Sequence, residues 1–96
     1  LPSPIPTPRA GTSAVALSGK VIVMGGESGS QTAAHDEVEM LDPASGSWSA
    51  LPSLGQGRHG FQAGHHGDAV VVAAGSANRG GGPELNSVES LRVELD

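Results

Sequence analysis

A near-duplication inside the chain limits its architecture more than any other feature. Sliding the sequence over itself by 49 residues places Arg9, Gly11, Ala14, Val21, Val23 and Gly26 on Arg58, Gly60, Ala63, Val70, Val72 and Gly75, six identities in an 18-residue window. A shift of 50 then places Val38, Glu39 and Leu41 on Val88, Glu89 and Leu91, and Leu1, Pro2 and Ser3 on Leu51, Pro52 and Ser53. A period this long marks an array of supersecondary units, each of which buries its apolar surface only by stacking on a neighbour. The one-residue change of offset is expected to fall in a loop.

Within each unit the residues read as strands. Ser13 to Leu17 is a short apolar run, Ser18-Gly19 is a turn signal, and Lys20 to Met24 is a β-branched run closed by Gly25-Gly26, which together make a hairpin of strands a and b. A polar loop from Glu27 to His35 leads to strand c at Glu37 to Leu41. The turn Asp42-Pro43-Ala44-Ser45-Gly46 leads on to strand d, Ser47 to Ala50. The second copy repeats a at Phe61 to His65, b at Ala69 to Ala74 and c at Ser87 to Val93, with a Gly-rich b-to-c loop from Ser76 to Leu85. No helical period is sustained, so the expected class is all-β.

The order Arg9-Ala10-Gly11, an apolar strand ending in Gly25-Gly26, Val38-Glu39-Met40-Leu41-Asp42-Pro43, Trp48, and Leu51-Pro52 before Arg58 resembles the kelch repeat, one blade of a β-propeller. The second copy departs from it: its diglycine is Ala74-Gly75, the strand-c aromatic is replaced by Leu91 (Leu41 in the first copy), and the sequence stops before a second Trp. The resemblance implies two four-stranded meander blades of a kelch-type propeller, the second incomplete. Residues 1–8 are then a Pro-rich interblade connector, 9–50 the first blade, 51–57 an interblade loop and 58–96 a second blade lacking its outer strand. Closure takes roughly four to eight blades, so the expected partners are additional blades, from the same larger protein or from other copies. Starting at Leu1 without Met, the chain reads as a processed product or an excised piece.

In such a meander the d-to-a and b-to-c connections share one end of the blade. Binding side chains concentrate on loops held by a rigid scaffold, and kelch propellers imply the same end. The ligand-binding candidates there are His59, Gln62, Ser76, Asn78 and Arg79. Arg58 has two readings, a ligand contact or, like Arg9, the cation of a structural ion pair. Arg9 and Arg58 recur in phase with Glu39 and Glu89, and a buried charge needs a partner of opposite sign. Gly25, Gly26 and Gly75 read as backbone positions reserved for glycine. Trp48 reads as a packing residue on the outer strand, set against the adjacent blade with its indole N–H bonded. Asp36 and Asn86, just before strand c, read as side-chain caps of nearby amides.

Composition narrows the function classes. Ten acidic residues against five scattered basic ones give a net charge of −5, without the basic patch that nucleic-acid binding requires. The longest apolar run, Ala69 to Ala74, is far short of a membrane span. Without Cys there is no thiolate metal site or thiol nucleophile. His65 and His66 point to opposite faces of one strand and do not chelate a common ion, so no metal or cofactor is expected. His35-Asp36 lacks a serine in a nucleophile-elbow setting, and no catalytic residue is assigned. The leading expectation is a non-catalytic segment that binds a protein or polar ligand through its d-to-a and b-to-c loops. The alternatives are part of a propeller enzyme of oxidase or epimerase type, with its chemistry in other blades, and a small oligomeric propeller lectin. The oxidase type would need Tyr and Cys, and the lectin several loop aromatics; the chain has no Tyr and no Cys, and its aromatics are Trp48 and Phe61.

Overall fold

The computed structural model describes residues 3–93. The expectations for Leu1 and Pro2 of the connector, and for residues 94–96 of the second blade, lie outside the described residues. Among the described residues seven strands form: β1 (Ser13–Leu17), β2 (Lys20–Met24), β3 (Val38–Asp42), β4 (Ser47–Leu51), β5 (Gln62–His66), β6 (Ala69–Ala73) and β7 (Val88–Arg92). They pair antiparallel in chain order, as one four-stranded sheet β1-β2-β3-β4 and one three-stranded sheet β5-β6-β7. The class is all-β, with two meander blades of which the second has three strands. Several strands sit one residue from where the sequence pattern places them: β3 starts at Val38 rather than Glu37, and β4 runs on to Leu51.

The strand register reproduces the sequence repeat. Val23 faces Glu39 across β2 and β3, and Val72 faces Glu89 across β6 and β7. The first members are 49 residues apart and the second members 50, so the change of offset falls in the b-to-c loop, where a strand register is indifferent to it.

Side chains alternate between the two faces of each sheet, and the blades bury opposite faces. In blade 1 the covered face carries Ile22, Met24 and Val38, while Val21 and Val23 on the other face are half-buried. In blade 2 the covered face carries Val70 and Val72, the repeat equivalents of Val21 and Val23. The two sheets are therefore stacked face to face, with Phe61, Leu54, Leu17 and Val93 completing one shared core. The outward face of blade 2 carries Val71, Ala73 and Val88, and Val88 is 65% exposed where its equivalent Val38 is 2% exposed.

Close backbone approach cements the stack. Gly26 donates its N–H to the Arg58 carbonyl (2.8 Å), Gly60 donates to Gly11 (2.9 Å), and the Ser13 hydroxyl donates to the Phe61 carbonyl (2.5 Å). Gly25 is held at φ +66°, where a Cβ would run into the Arg58 carbonyl and lie 2.6 Å from the Phe61 ring. Only glycine fits both the left-handed backbone and the neighbour.

Trp48 lies on the outer strand β4 of its sheet. Its indole N–H donates to the Ser3 carbonyl (2.8 Å), so it ties the Pro-rich entry segment to its own blade. Asp36 and Asn86 make no side-chain hydrogen bond among the described residues. The capping carboxylate is instead Asp42, whose Oδ1 accepts the Ala44 N–H at the β3–β4 turn (3.0 Å). Among the described residues no helix is long and apolar enough to cross a membrane.

Candidate functional site

The loops that leave β2 and β6 meet at one end of the stack. The Ala34 N–H donates to the Ala77 carbonyl and the Arg79 N–H donates to the Thr32 carbonyl, both at 2.8 Å, so the two b-to-c loops pair like a short piece of sheet. Side chains reinforce the seam. The Arg79 guanidinium donates to the Gly29 carbonyl (2.9 Å), and Glu27 Oε1 accepts the Gly80 N–H (2.8 Å). His59, nearly buried, spans the junction, with Nδ1 3.2 Å from Glu27 Oε2 and Nε2 2.7 Å from the Asn78 carbonyl. Both ring nitrogens of His59 thus face oxygen atoms of the two loops, which holds the ring across the seam.

Of the residues singled out in the sequence, His59, Ser76, Asn78 and Arg79 are brought together on this rim. Ser76 exchanges backbone hydrogen bonds with His59 (3.0 and 3.1 Å). Gln62 starts β5 with an exposed side chain. The side-chain amides of Gln62 and Asn78 and the Ser76 hydroxyl form no hydrogen bond among the described residues, which leaves them for something outside.

Arg58 sits apart from this rim. Its guanidinium has 0% exposure and lies 2.9 Å from Glu89 Oε2, with further bonds to the carbonyls of Ala74 and Ser87. Its Nε is the one buried side-chain polar atom without a partner among the described residues. Arg9 occupies the same place in blade 1, 2.6 Å from Glu39 Oε1, and its Nε donates to the Gly25 carbonyl (2.5 Å). Burial pushes the Glu89 carboxyl up, but the N–H groups of Gly55 and Gln56 and the bond and charge of Arg58 outweigh it and hold Glu89 below its ordinary value.

One constellation escaped the sequence reading. Ser28 Oγ lies 2.7 Å from His35 Nε2, and His35 Nδ1 lies 2.9 Å from Glu37 Oε1. The acid is two residues beyond the histidine rather than adjacent Asp36, whose side chain is exposed. The serine is seven residues before it, on the same loop. A spacing of Ser, six residues, His, one residue, Glu is the only trace in the sequence, and it has no specificity without the loop's path. The loop closes because the His35 N–H donates to the Gly26 carbonyl (2.8 Å), which carries the ring back over the strand end. Burial raises the Glu37 carboxyl, but the hydrogen bond from His35, the Glu37 backbone amide and the charge of Arg9 outweigh it and leave it lowered overall.

Meander sheets stacked face to face, with backbone-tight glycines between them, define the blades of a β-propeller. The chain belongs to the kelch family: the family model described as Kelch motif matches residues 8–55. Solved structures agree on the fold. A structure titled "Structure of YjhT" superimposes with a TM-score of 0.63 at 22% identity, over 73% of this chain and 22% of that one. The chain thus spans about a fifth of the length of that protein. No curated protein matches the chain.

Proposed function

We propose that these blades form part of a closed propeller that recognises a protein segment or a small polar ligand on the end bearing the d-to-a and b-to-c loops. The observation that carries this reading is the stapled rim. Two loops from adjacent blades are fixed to each other through backbone and side-chain bonds, while Ser76 and Asn78 keep uncommitted polar side chains on them. A preordered surface loses little entropy on binding. Arg79 uses one nitrogen on the Gly29 carbonyl and keeps other donors for an acceptor-rich ligand.

Ring closure is part of the same proposal. The outward face of blade 2, with Val88 65% exposed, and the half-buried Val21–Val23 face of blade 1 are the surfaces on which neighbouring blades stack. The outer edge of β7 is unpaired among the described residues, and edges of this kind are normally covered. Light scattering should report a particle larger than one 9.5 kDa chain, or a longer polypeptide containing these blades; a stable monomer of this chain with a cooperative thermal transition overturns closure.

Recognition is tested on the assembled protein with peptide and glycan arrays. The double change Ser76→Ala with Asn78→Ala should abolish the array signal. The control His65→Ala with His66→Ala, at the opposite end of the blade, should leave it intact. Loss in the control alone would move the binding surface elsewhere.

A further inference from the structure

We infer that Ser28 is a nucleophile toward carboxylic esters, with His35 as its general base and Glu37 as the group that positions the base. Donor and acceptor accounting leads there. An ionised carboxylate only accepts, so the Glu37 contact requires a proton on His35 Nδ1. In the neutral ring Nε2 then carries a lone pair, and the hydrogen bond at 2.7 Å must run from the Ser28 hydroxyl to it. Ser30 Oγ, 2.8 Å from Ser28 Oγ, completes the chain by donating to the same hydroxyl. Every proton therefore points along one line, from Ser30 through Ser28 and His35 to Glu37. This is the arrangement of atoms in which a serine loses its proton to imidazole as it attacks. His59 makes a useful contrast, because its nitrogens face a carboxylate and a carbonyl oxygen and neither faces a hydroxyl.

The fold itself does not ask for these three side chains. In blade 2 the corresponding loop closes with the same backbone bond, Leu85 N–H to the Gly75 carbonyl (2.7 Å). There the repeat equivalents of Ser28, His35 and Glu37 are Ala77, Leu85 and Ser87. An apolar residue thus serves the loop where His35 stands, and the polar relay belongs to blade 1 alone. Ser28 is half-buried on the rim and His35 is 3% exposed, so the serine stands nearer to solvent than the base. The N–H of Gly29, the residue after the hydroxyl, has no acceptor among the described residues and is free to donate to an oxyanion.

The reaction balances without any further reagent. Ser28 Oγ bonds to the acyl carbon and its proton passes to His35 Nε2. The ester C–O bond breaks and that proton leaves with the alcohol. Water then attacks the acyl-serine, gives one proton to Nε2, and releases the carboxylic acid as the proton returns to Ser28 Oγ. The site lies on an open rim, so small activated esters fit its chemistry best.

The test uses the assembled protein, p-nitrophenyl acetate and a fluorophosphonate probe. The wild type should show a burst of p-nitrophenol and a single phosphonylated peptide containing Ser28. Ser28→Ala and His35→Leu install what blade 2 already tolerates at Ala77 and Leu85, so both should fold; each should lower the burst rate by about 100-fold or more, and Ser28→Ala should remove the label. Glu37→Gln should slow the burst and move the pH–rate midpoint down, because the imidazolium loses its carboxylate, and Glu37→Asp should recover part of the rate. An unlabelled wild type, labelling of Ser28→Ala equal to the wild type, or a Glu37→Gln profile that does not move would overturn the assignment. Array binding through Ser76 and Asn78 is independent of this outcome, so failure here leaves the recognition reading standing.

Discussion

Val38 and Val88 are the same residue of the same repeat, yet one is sealed in the core and the other lies open. The difference comes from position in the stack. Blade 2 covers the face of blade 1 that carries Val38, and no described residue covers the face of blade 2 that carries Val88. Gly25 and Ala74 tell the same story in the backbone: both sit near φ +65°, at +66° and +64°, but only Gly25 has a neighbour pressed against it. A blade's sequence therefore specifies two apolar faces, and burial, strain and tolerance to substitution are decided by what stacks on each.

The ion pairs give the largest test of that comparison. Glu39 has a side chain 8% exposed and Glu89 one 21% exposed, opposite arginines with 0% exposure. Glu39→Ala strands a buried guanidinium and should cost about 3–5 kcal/mol in urea unfolding of the assembled protein; Glu89→Ala should cost less, since water reaches that site. Equal losses would mean that a further blade shields Glu89. The same group sets an acid limit. The folded-state value of Glu89 lies below its unfolded one, so its contribution is fully present above the ordinary glutamate range and is lost as pH falls through the lowered value. Glu89→Gln should lower stability near neutrality and flatten the stability–pH curve in that acid window, so that variant and wild type converge at the acid end.

Gly25→Ala comes next. Left-handed backbone costs an L-residue about 1–2 kcal/mol, and overpacking against Phe61 adds about 1–3 kcal/mol. A thermal shift no greater than that of an exposed Gly→Ala change would show that the two blades are not packed this tightly. Val38→Ala removes two buried methyl groups, worth about 1.6 kcal/mol. Val88→Ala should match it if a neighbouring blade covers that face and should be neutral if the face stays in water, so the pair of values reads blade closure directly.

The fold was legible because its signals are local. Glycine pairs, turn residues and a β-branched run repeat in phase, and the in-phase arginine and glutamate mark where two strands must meet. The rim was legible only in part. Topology placed His59, Ser76, Asn78 and Arg79 at one end, but nothing in their spacing says that His59 is taken up by Glu27 of the other blade. Pairing of loops across blades is a long-range event with no period. The Ser28–His35–Glu37 relay was hidden for a related reason: a loop has no regular direction, so sequence distance says nothing of which side chains meet. The acceptor of the Trp48 N–H, the Ser3 carbonyl, was not legible because the Pro-rich segment that carries it leaves no pattern of its own.

The smallest effect is the most discriminating. Ala74→Gly relieves a left-handed alanine, a gain of about 1–2 kcal/mol, but it also loosens the unfolded chain by about 0.4–1 kcal/mol. The net stabilisation should lie between about 0 and 1.6 kcal/mol if Ala74 stays exposed, since its Cβ then has open space. A third blade docked as blade 2 docks on blade 1 would bring a carbonyl and a ring against that Cβ, as Arg58 and Phe61 are brought against Gly25. In that case Ala74→Gly should stabilise the assembled protein by clearly more than the conformational term alone. Differential scanning calorimetry of the variant therefore measures whether the junction beyond blade 2 is as close as the one before it. A null result would mean that successive blades of this propeller are spaced differently, with alanine marking the wider gap.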